Sequence, residues 1–223
     1  MRKVKADDAP EAARLAAQLV ADRLTLLVNQ NGQASVAFSG GSTPALMFRE
    51  LATIPVPWDA IHVFQVDERV APDGSPARNW TDLQDLLLAP AQVPDENRHP
   101  MDVTAKPLAG AAAEYGAVLA ETVNGVIDVV HLGLGEDGHT ASWPPGDPVL
   151  SSTDDVALVG PYRGLLRMTL TPQAINRARQ VVWLITGAEK SDALSSLESS
   201  DGAIPASAVR RAADDVVFTD LQI

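Results

Sequence analysis

The sequence contains no cysteine, which excludes disulfide bonds, iron–sulfur clusters and thiol nucleophiles. It is also poor in positive charge, because 17 Lys and Arg residues stand against 29 Asp and Glu residues and give a net charge of −12. A chain this acidic lacks the basic face that general nucleic-acid binding and docking on an anionic membrane require. We therefore expect neither nucleic acid nor membrane as a partner.

Long apolar runs are missing as well. No stretch approaches the roughly 18 apolar residues of a membrane span. The basic residues at the start of the chain are followed by Asp7, Asp8 and Glu11 rather than by an apolar segment, so we expect no signal peptide. Together with the absence of cysteine, which fits a reducing compartment, this predicts a cytoplasmic protein.

What the chain does have is enough apolar material for a core. Hydrophobic residues make up 46% of its 223 residues, which indicates a globular protein, and the length suits a single domain over residues 1–223 with room for a small second lobe. Helical spacing or capping predicts helices near residues 10–31, 44–51, 79–88 and 104–124. Short apolar runs predict strands at residues 34–38, 61–66, 126–132, 165–170, 181–185 and 216–218.

Strands that alternate with helices indicate βαβ units. We therefore predict an α/β fold of the doubly wound, Rossmann-like type, in which a largely parallel sheet carries helices on both faces. In such sheets ligands bind beyond the carboxyl ends of the strands, beside helix N-termini. The loops after residues 38, 66, 132, 170 and 185 are the places where we expect the chemistry.

The first of these loops has the composition of an anion site. After the first apolar strand the chain reads Gly40, Gly41, Ser42, Thr43, Pro44. Glycines permit close approach of a ligand, and proline suits the first turn of a helix whose free N–H groups attract anions. The pattern of nucleoside-triphosphate loops is absent. An ordinary capped strand–helix turn remains the alternative interpretation.

The loop after residue 132 matches the dinucleotide pattern G-x-G-x-x-G over residues 133–138. Two features argue against a dinucleotide. Glu136 and Asp137 would face the pyrophosphate, and Pro144 with Pro145 prevents a long helix from following. The other interpretation makes His139, beside Asp137, the reactive group, because an imidazole gives and takes a proton near neutral pH. A loop histidine in ordinary hydrogen bonds stays possible, and His62, His99 and His131 are expected to be structural.

Charged residues mark three other segments. Asp67, Glu68 and Arg69 follow one predicted strand, either as a local ion pair or as groups flanking a polar substrate. Arg167 interrupts an apolar strand, where an unpaired guanidinium would be costly, so it either pairs with a carboxylate or faces the cleft. Lys190 follows the strand at 181–185, and on local grounds a solvated surface lysine is the favoured interpretation.

In combination these motifs resemble the 6-phosphogluconolactonase family, in order and over most of the chain. The resemblance rests on residues 39–44, 66–70, 79–80, 133–142, 167–171 and 186–190, and the string Gly-Glu-Asp-Gly-His-Thr-Ala-Ser at 135–142 is its most specific part. The sequence departs from the family pattern at Arg78, where a serine is usual, and at residues 143–145, where Trp-Pro-Pro replaces Leu-Phe-Pro. These departures concern the surroundings of Asn79 and of His139.

The resemblance implies hydrolysis of 6-phospho-D-glucono-1,5-lactone to 6-phospho-D-gluconate in the oxidative pentose phosphate pathway, with no metal and no organic cofactor. The alternatives are a glucosamine-6-phosphate deaminase or isomerase, whose motifs differ at the positions of Arg69 and Thr140, and a non-catalytic sugar-phosphate sensor. The expected partner is a small phosphorylated sugar lactone, and the expected state is a monomer or weak homo-oligomer.

Our hypothesis for the site assigns catalysis to His139 as general base, oriented by Asp137, with Asp67 on sugar hydroxyls. The substrate and its phosphate are expected to contact Gly40, Gly41, Ser42, Thr43, Arg69, Asn79, Arg167 and Lys190. Since the substrate is an anion, a protein of net charge −12 would repel it at long range. We therefore predict one local electropositive cleft at the strand ends that carry these residues.

Overall fold

The computed structural model describes residues 1–199, 202–210 and 212–222. The strands are β1 (Arg2–Lys5), β2 (Ala34–Phe38), β3 (Ile61–Gln65), β4 (Asp67–Arg69), β5 (Arg98–His99), β6 (Val129–Leu132), β7 (Val156–Tyr162), β8 (Leu165–Leu170), β9 (Gln180–Ile185) and β10 (Val216–Thr219). The helices are α1 (Ala9–Asn31), α2 (Ser42–Leu51), α3 (Asn79–Leu83), α4 (Leu108–Val123), α5 (Pro172–Ile175) and α6 (Ser191–Ser199). A π-helical turn, Gln84–Leu88, continues α3.

Seven strands form one sheet in the order β1-β10-β9-β6-β2-β3-β5, and every pairing in it is parallel. From β2 the chain moves outward through β3 to β5, and from β6 it moves the opposite way through β9 to β10. The order therefore reverses between the adjacent strands β2 and β6, and a crevice opens at their carboxyl ends. The predicted α/β fold is confirmed.

Helices cover both faces of this sheet and create two apolar cores. One core packs α1, α2 and the segment Leu83–Leu88 against side chains such as Val36 and Val63. The other packs α4, α5 and α6 against side chains such as Val130 and Trp183, together with β7 and β8. Because both faces are covered, the central strands are buried at almost every position, as near-continuous apolar runs predict.

The long first helix follows the capping rules closely. The side chain of Asp8 accepts a hydrogen bond from the Glu11 backbone N–H at 2.8 Å, and Glu11 accepts one from the Asp7 N–H at 2.8 Å. This reciprocal pair satisfies donors that the helix start leaves free. The helix ends before Gly32, where the sequence predicts its end.

The second lobe is a small antiparallel sheet of order β4-β8-β7. Residues 165–170 belong to it as β8, which runs antiparallel to β4 and is not one of the parallel strands of the main sheet. Arg167 within this strand, rather than the loop after residue 170 where we expected chemistry, lines the cavity described below. Thr171 in that loop caps α5 and donates to the Asp154 carbonyl at 2.6 Å.

Several short elements were not predicted. β1 and β5 carry too few consecutive apolar residues to stand out, and in β7 the apolar residues 156–159 are followed by Gly160 and Pro161, which are unusual within a strand. His99, expected in a polar loop, lies on β5 beside β3. The helix predicted at 104–124 begins only at Leu108, after Pro107. In the part of the chain that the structure describes, no helix is long and apolar enough to cross a membrane.

Candidate active site

The crevice between β2 and β6 contains a cavity of about 270 Å³ at the carboxyl edge of the main sheet. Its lining includes ten of the eleven residues that the sequence singles out, namely Gly40, Gly41, Ser42, Thr43, Asp67, Arg69, Asn79, His139, Arg167 and Lys190. The eleventh, Asp137, lies directly behind His139. The structure thus brings together all of the predicted site residues, which come from six separate segments of the chain.

The loop from β2 to α2 forms one wall of the cavity. α2 begins at Ser42, and no side chain caps its N-terminus, so its first N–H groups remain available to an anion. The hydroxyl of Thr43 lies 2.8 Å from that of Thr186 and ties this loop to the one after β9. A Cβ atom on Gly40 would lie 2.0 Å from Oδ1 of Asn79, so the close approach of these two segments requires glycine there.

The small antiparallel sheet places two arginines opposite each other. β4 pairs with β8 so that Arg69 faces Arg167 directly, and like charges in this position repel. Burial, with the nearby charge of Arg69, lowers the pKa of Arg167. Among the described residues neither guanidinium forms a salt bridge. Two unpaired cations held together in a cleft are an arrangement that an anionic ligand stabilises.

Other hydrogen bonds hold these arginines at fixed positions. Arg69 donates from Nη1 to the Ala77 carbonyl at 2.8 Å, and Arg167 donates from Nη2 to the Tyr162 carbonyl at 3.1 Å. Within the described part of the chain, the Nε groups of both arginines are buried without a hydrogen-bond partner. Further cations line the cavity at Lys190, as predicted, and at Arg163.

Asp67 is a buried carboxylate fixed from two sides. The Ser142 hydroxyl donates to its Oδ2 at 2.6 Å, and the Asn79 amide donates to its Oδ1 at 3.3 Å and to its backbone carbonyl at 2.9 Å. Only 5% of its surface is exposed, yet it lines the cavity. A carboxylate so held can accept hydrogen bonds from ligand hydroxyls without reorganising.

Glu68, unlike Asp67, does not line the cavity and has a structural role. It is fully buried and accepts hydrogen bonds from the backbone N–H groups of Asn79 and Trp80 at 2.7 and 2.8 Å. It also pairs with Arg78, whose Nε lies 3.4 Å from its carboxylate. The departure from the family pattern at Arg78 therefore supplies a buried counter-charge for Glu68, and this pair positions the start of α3 and hence Asn79.

The loop after β6 carries His139, which the sequence singles out as the candidate base. It closes on itself, because the Gly135 N–H donates to the His139 carbonyl at 2.7 Å and the Thr140 hydroxyl donates to the Gly133 carbonyl at 2.8 Å. No long helix follows, and the backbone turns instead through residues 136–142. Trp143, the second departure from the family pattern, is fully buried and donates from Nε1 to the Leu170 carbonyl at 2.8 Å, so it anchors the end of this loop.

His139, Asp137 and Tyr162 form a hydrogen-bonded cluster at the cavity. Nδ1 of His139 lies 2.5 Å from Oδ1 of Asp137, and the Tyr162 hydroxyl donates to Oδ2 of Asp137 at 2.6 Å. Burial opposes ionisation of Asp137, but the hydrogen bonds from Tyr162 and His139 outweigh it and lower its pKa to about 2. An ionised Asp137 accepts a hydrogen bond from the Nδ1–H group, and with the ring proton on Nδ1 the lone pair of Nε2 is free to act as a base.

Three residues of the site escaped the sequence analysis. Tyr162 and Arg163 lie at the tip of the β7–β8 hairpin, and Ser142 supports Asp67. The pair Arg163-Gly164 between two runs of β-forming residues is a turn signal that could have revealed the hairpin. No local pattern indicates that its tip reaches His139, since that depends on how the two sheets pack.

The fold and the cleft together define an α/β protein in which a helix start with free N–H groups and clustered cations lie in one cavity with a histidine–carboxylate pair. Residues 7–218 match the family model described as glucosamine-6-phosphate isomerases/6-phosphogluconolactonase. The chain therefore belongs to this family.

Individual relatives agree with this assignment. The chain is 38% identical over 181 residues to a 6-phosphogluconolactonase of Synechocystis sp., covering 78% of this chain and 75% of the relative. It is 32% identical over 197 residues to a 6-phosphogluconolactonase of Haemophilus influenzae, covering 84% and 83%. The crystal structure of 6-phosphogluconolactonase from Thermotoga maritima superimposes with a TM-score of 0.88 at 27% identity and covers 98% of both chains.

Proposed function

We propose that this protein is a 6-phosphogluconolactonase, which hydrolyses 6-phospho-D-glucono-1,5-lactone to 6-phospho-D-gluconate in the oxidative pentose phosphate pathway. The observation that carries the proposal is the placement of His139, backed by an ionised Asp137, in the same small cavity as the opposed pair Arg69 and Arg167. A phosphorylated lactone needs both a base for water and cations for its phosphate. Relatives named for this activity support the same conclusion.

The phosphate binds, in this proposal, between the start of α2 and the cationic side of the cleft. The start of α2, whose first N–H groups are free, lines the same cavity as Arg69, Arg167 and Lys190. Binding an anion there relieves the repulsion between the two arginines. Local cations are needed because the charge of −12 on the whole chain repels the substrate.

His139 acts as general base in the first half of the reaction. Its Nε2 takes a proton from water as the water oxygen attacks the lactone carbonyl, and the negative charge develops on the carbonyl oxygen. N–H donors of the glycine-rich loops stabilise that oxyanion. Asp137 stabilises the imidazolium that forms, and Asp67 with Asn79 binds sugar hydroxyls.

The second half of the reaction uses the same histidine as an acid. The tetrahedral intermediate collapses, the bond between the carbonyl carbon and the ring oxygen breaks, and the imidazolium gives its proton to that oxygen. The product is an open-chain acid with a free hydroxyl, and one water has been consumed. The cycle returns His139 to its neutral form.

Direct measurement of lactone decay tests the function. The lactone is generated from glucose 6-phosphate by a dehydrogenase, and its disappearance is followed with and without this protein between pH 6 and 8. Acceleration over spontaneous hydrolysis is expected. No acceleration would disprove the proposal, and release of ammonium from glucosamine 6-phosphate would assign the chain to the isomerase branch of its family instead.

The proposal also covers the setting of the enzyme. We propose that residues 1–223 act as one lactonase domain in the cytoplasm, as a monomer or weak homo-oligomer, without nucleic acid, membrane, metal or organic cofactor. The acidic and cysteine-free composition supports this setting. Sedimentation of the purified chain at several concentrations tests the oligomeric state.

A further inference from the structure

We infer that Tyr162, at the tip of the β7–β8 hairpin, is a positioning residue that holds Asp137 and His139 in the orientation needed for catalysis. The inference rests on the function proposed above. Tyr162 touches neither the water nor the lactone in this scheme, and it acts through Asp137.

The hydrogen bonds around Asp137 carry the inference. Its Oδ1 lies 2.5 Å from Nδ1 of His139, and its Oδ2 accepts the Tyr162 hydroxyl at 2.6 Å. Both carboxylate oxygens are therefore held by hydrogen bonds, which restrict rotation of the Asp137 side chain. About a third of the Asp137 side chain is exposed, so without Tyr162 solvent would compete for Oδ2 and the carboxylate would be free to turn away from Nδ1.

Tyr162 is suited to donate a hydrogen bond rather than to transfer a proton. Burial, and after it the hydrogen bond and charge of Asp137, raise the pKa of Tyr162 to about 12, so the hydroxyl stays protonated near neutral pH. Its oxygen lies 3.0 Å from Nδ1 of His139, which is the ring nitrogen turned away from the water in the mechanism. Because these contacts are to Asp137 and to Nδ1, we assign Tyr162 a positioning role rather than a step of proton transfer.

The hairpin fixes where Tyr162 lies. Tyr162 pairs with Leu165 across a two-residue turn in which Arg163 and Gly164 have φ values of 52° and 84°, as the tight turns of hairpins require. The ring of Tyr162 meets that of His139 edge to face, with 5.3 Å between the ring centroids. A phenylalanine would keep this ring contact and lose only the hydroxyl.

Tyr162 also contacts the cationic half of the cleft. Its backbone carbonyl accepts a hydrogen bond from Arg167 at 3.1 Å, and the guanidinium carbon of Arg167 lies 5.6 Å from the centroid of its ring. Both contacts survive in a phenylalanine variant. Substrate binding through Arg167 and orientation of His139 through the hydroxyl can therefore be separated by experiment.

The test compares Tyr162→Phe with the wild-type protein and with Leu166→Thr, a control on β8 of the same hairpin whose side chain is exposed. We expect Tyr162→Phe to lower kcat about tenfold, since a hydrogen bond to a charged group contributes about that factor, and to leave KM within twofold. Leu166→Thr should change neither constant.

The second readout is the ring ¹⁵N–¹H signal of His139, identified by its loss in His139→Asn. We expect its Nδ1 proton to exchange with water faster in Tyr162→Phe.

Either of two results would overturn the inference: a kcat of Tyr162→Phe within twofold of the wild-type value, or an unchanged exchange rate of the Nδ1 proton. A merely structural role would lower the melting temperature and leave the exchange rate alone. If the wild-type protein failed to hydrolyse the lactone, the proposed function would fall, and the NMR comparison alone would still decide whether Tyr162 holds the pair.

Discussion

A Cβ atom on Gly135 would lie 2.0 Å from Nδ1 of His139 and 2.6 Å from Oδ1 of Asp137. Only glycine at this position leaves room for the hydrogen bond between the two side chains. The glycine-rich pattern that looks like a dinucleotide loop in the sequence thus has a different purpose here, because it makes space for a histidine and its carboxylate.

This relationship predicts the effect of Gly135→Ala. The added methyl group must push the imidazole out of place, and misplacement of a catalytic group by about 1 Å can cost about 10²-fold in rate. We expect kcat/KM for the lactone to fall by about that factor while the protein stays folded. Gly160→Ala is the matched control, because a Cβ there meets nothing within 4 Å. Equal activity of the two variants would contradict the prediction.

Removal of the base itself should have a larger effect on kcat than on KM. His139→Asn lacks a group that can take a proton from water, so we expect kcat to fall by about 10² or more, which is the usual contribution of general-base catalysis. His62→Asn provides the control, since His62 lies on β3 away from the cavity and contacts His99. Near-normal turnover by folded His139→Asn protein would remove His139 from its assigned role.

The pairing of Arg69 with Arg167 predicts that the substrate binds more weakly when Arg69 is removed. Arg69→Ala removes one of two cations that face each other across β4 and β8, so we expect KM to rise at least about tenfold with little change in kcat, as for a group that binds ground state and transition state equally. The product, 6-phosphogluconate, should raise the melting temperature of the wild-type protein and raise that of Arg69→Ala less.

Arg14→Ala serves as the control for charge. It removes an exposed arginine on α1, far from the cleft, and should preserve both KM and the thermal shift. A fall in kcat without a change in KM for Arg69→Ala would instead move Arg69 to the reaction centre.

The lowered pKa values of two histidines, His131 and His99, predict that the folded protein loses stability in acid. Burial lowers the pKa of His131 from 6.5 to about 3, so the folded state keeps it neutral while the unfolded chain binds a proton below pH 6.5. Stability from this residue is complete above pH 6.5 and declines as the pH falls toward 3, by about 2 kcal/mol between pH 8 and pH 5. His99, with its pKa lowered to about 4 by burial and by His62, changes in the same direction.

Urea unfolding at pH 8 and pH 5 measures this loss. His131→Leu should lose less stability between the two pH values than the wild-type protein, whatever its stability at pH 8. Leucine is a suitable replacement because both ring nitrogens of His131 are buried and find no hydrogen-bond partner among the described residues, so the substitution removes no hydrogen bond seen there. An equal loss in both proteins would show that other groups govern the acid sensitivity.

Much of the main sheet was predictable, because its central strands are buried on both faces and appear as uninterrupted apolar runs such as residues 34–38 and 181–185. The loop carrying Ser42 and the loop carrying His139 could be located for the same reason, since each directly follows such a strand. β4 and β7 could not be found this way. β4 consists of three charged residues, and in β7 the apolar residues 156–159 are followed at once by Gly160 and Pro161, which are unusual within a strand.

The sequence by itself determined the alternation of strands and helices, the excess of acidic charge, and the loops that carry Ser42, His139 and Lys190, because these depend on residues that are neighbours along the chain. Only the tertiary structure decided that Arg69 faces Arg167 and that Tyr162 reaches Asp137. Arg69 and Arg167 are separated by 98 positions along the chain, and Asp137 and Tyr162 by 25. Both contacts arise because a small antiparallel sheet packs beside a large parallel one, and no local spacing in the sequence encodes that packing.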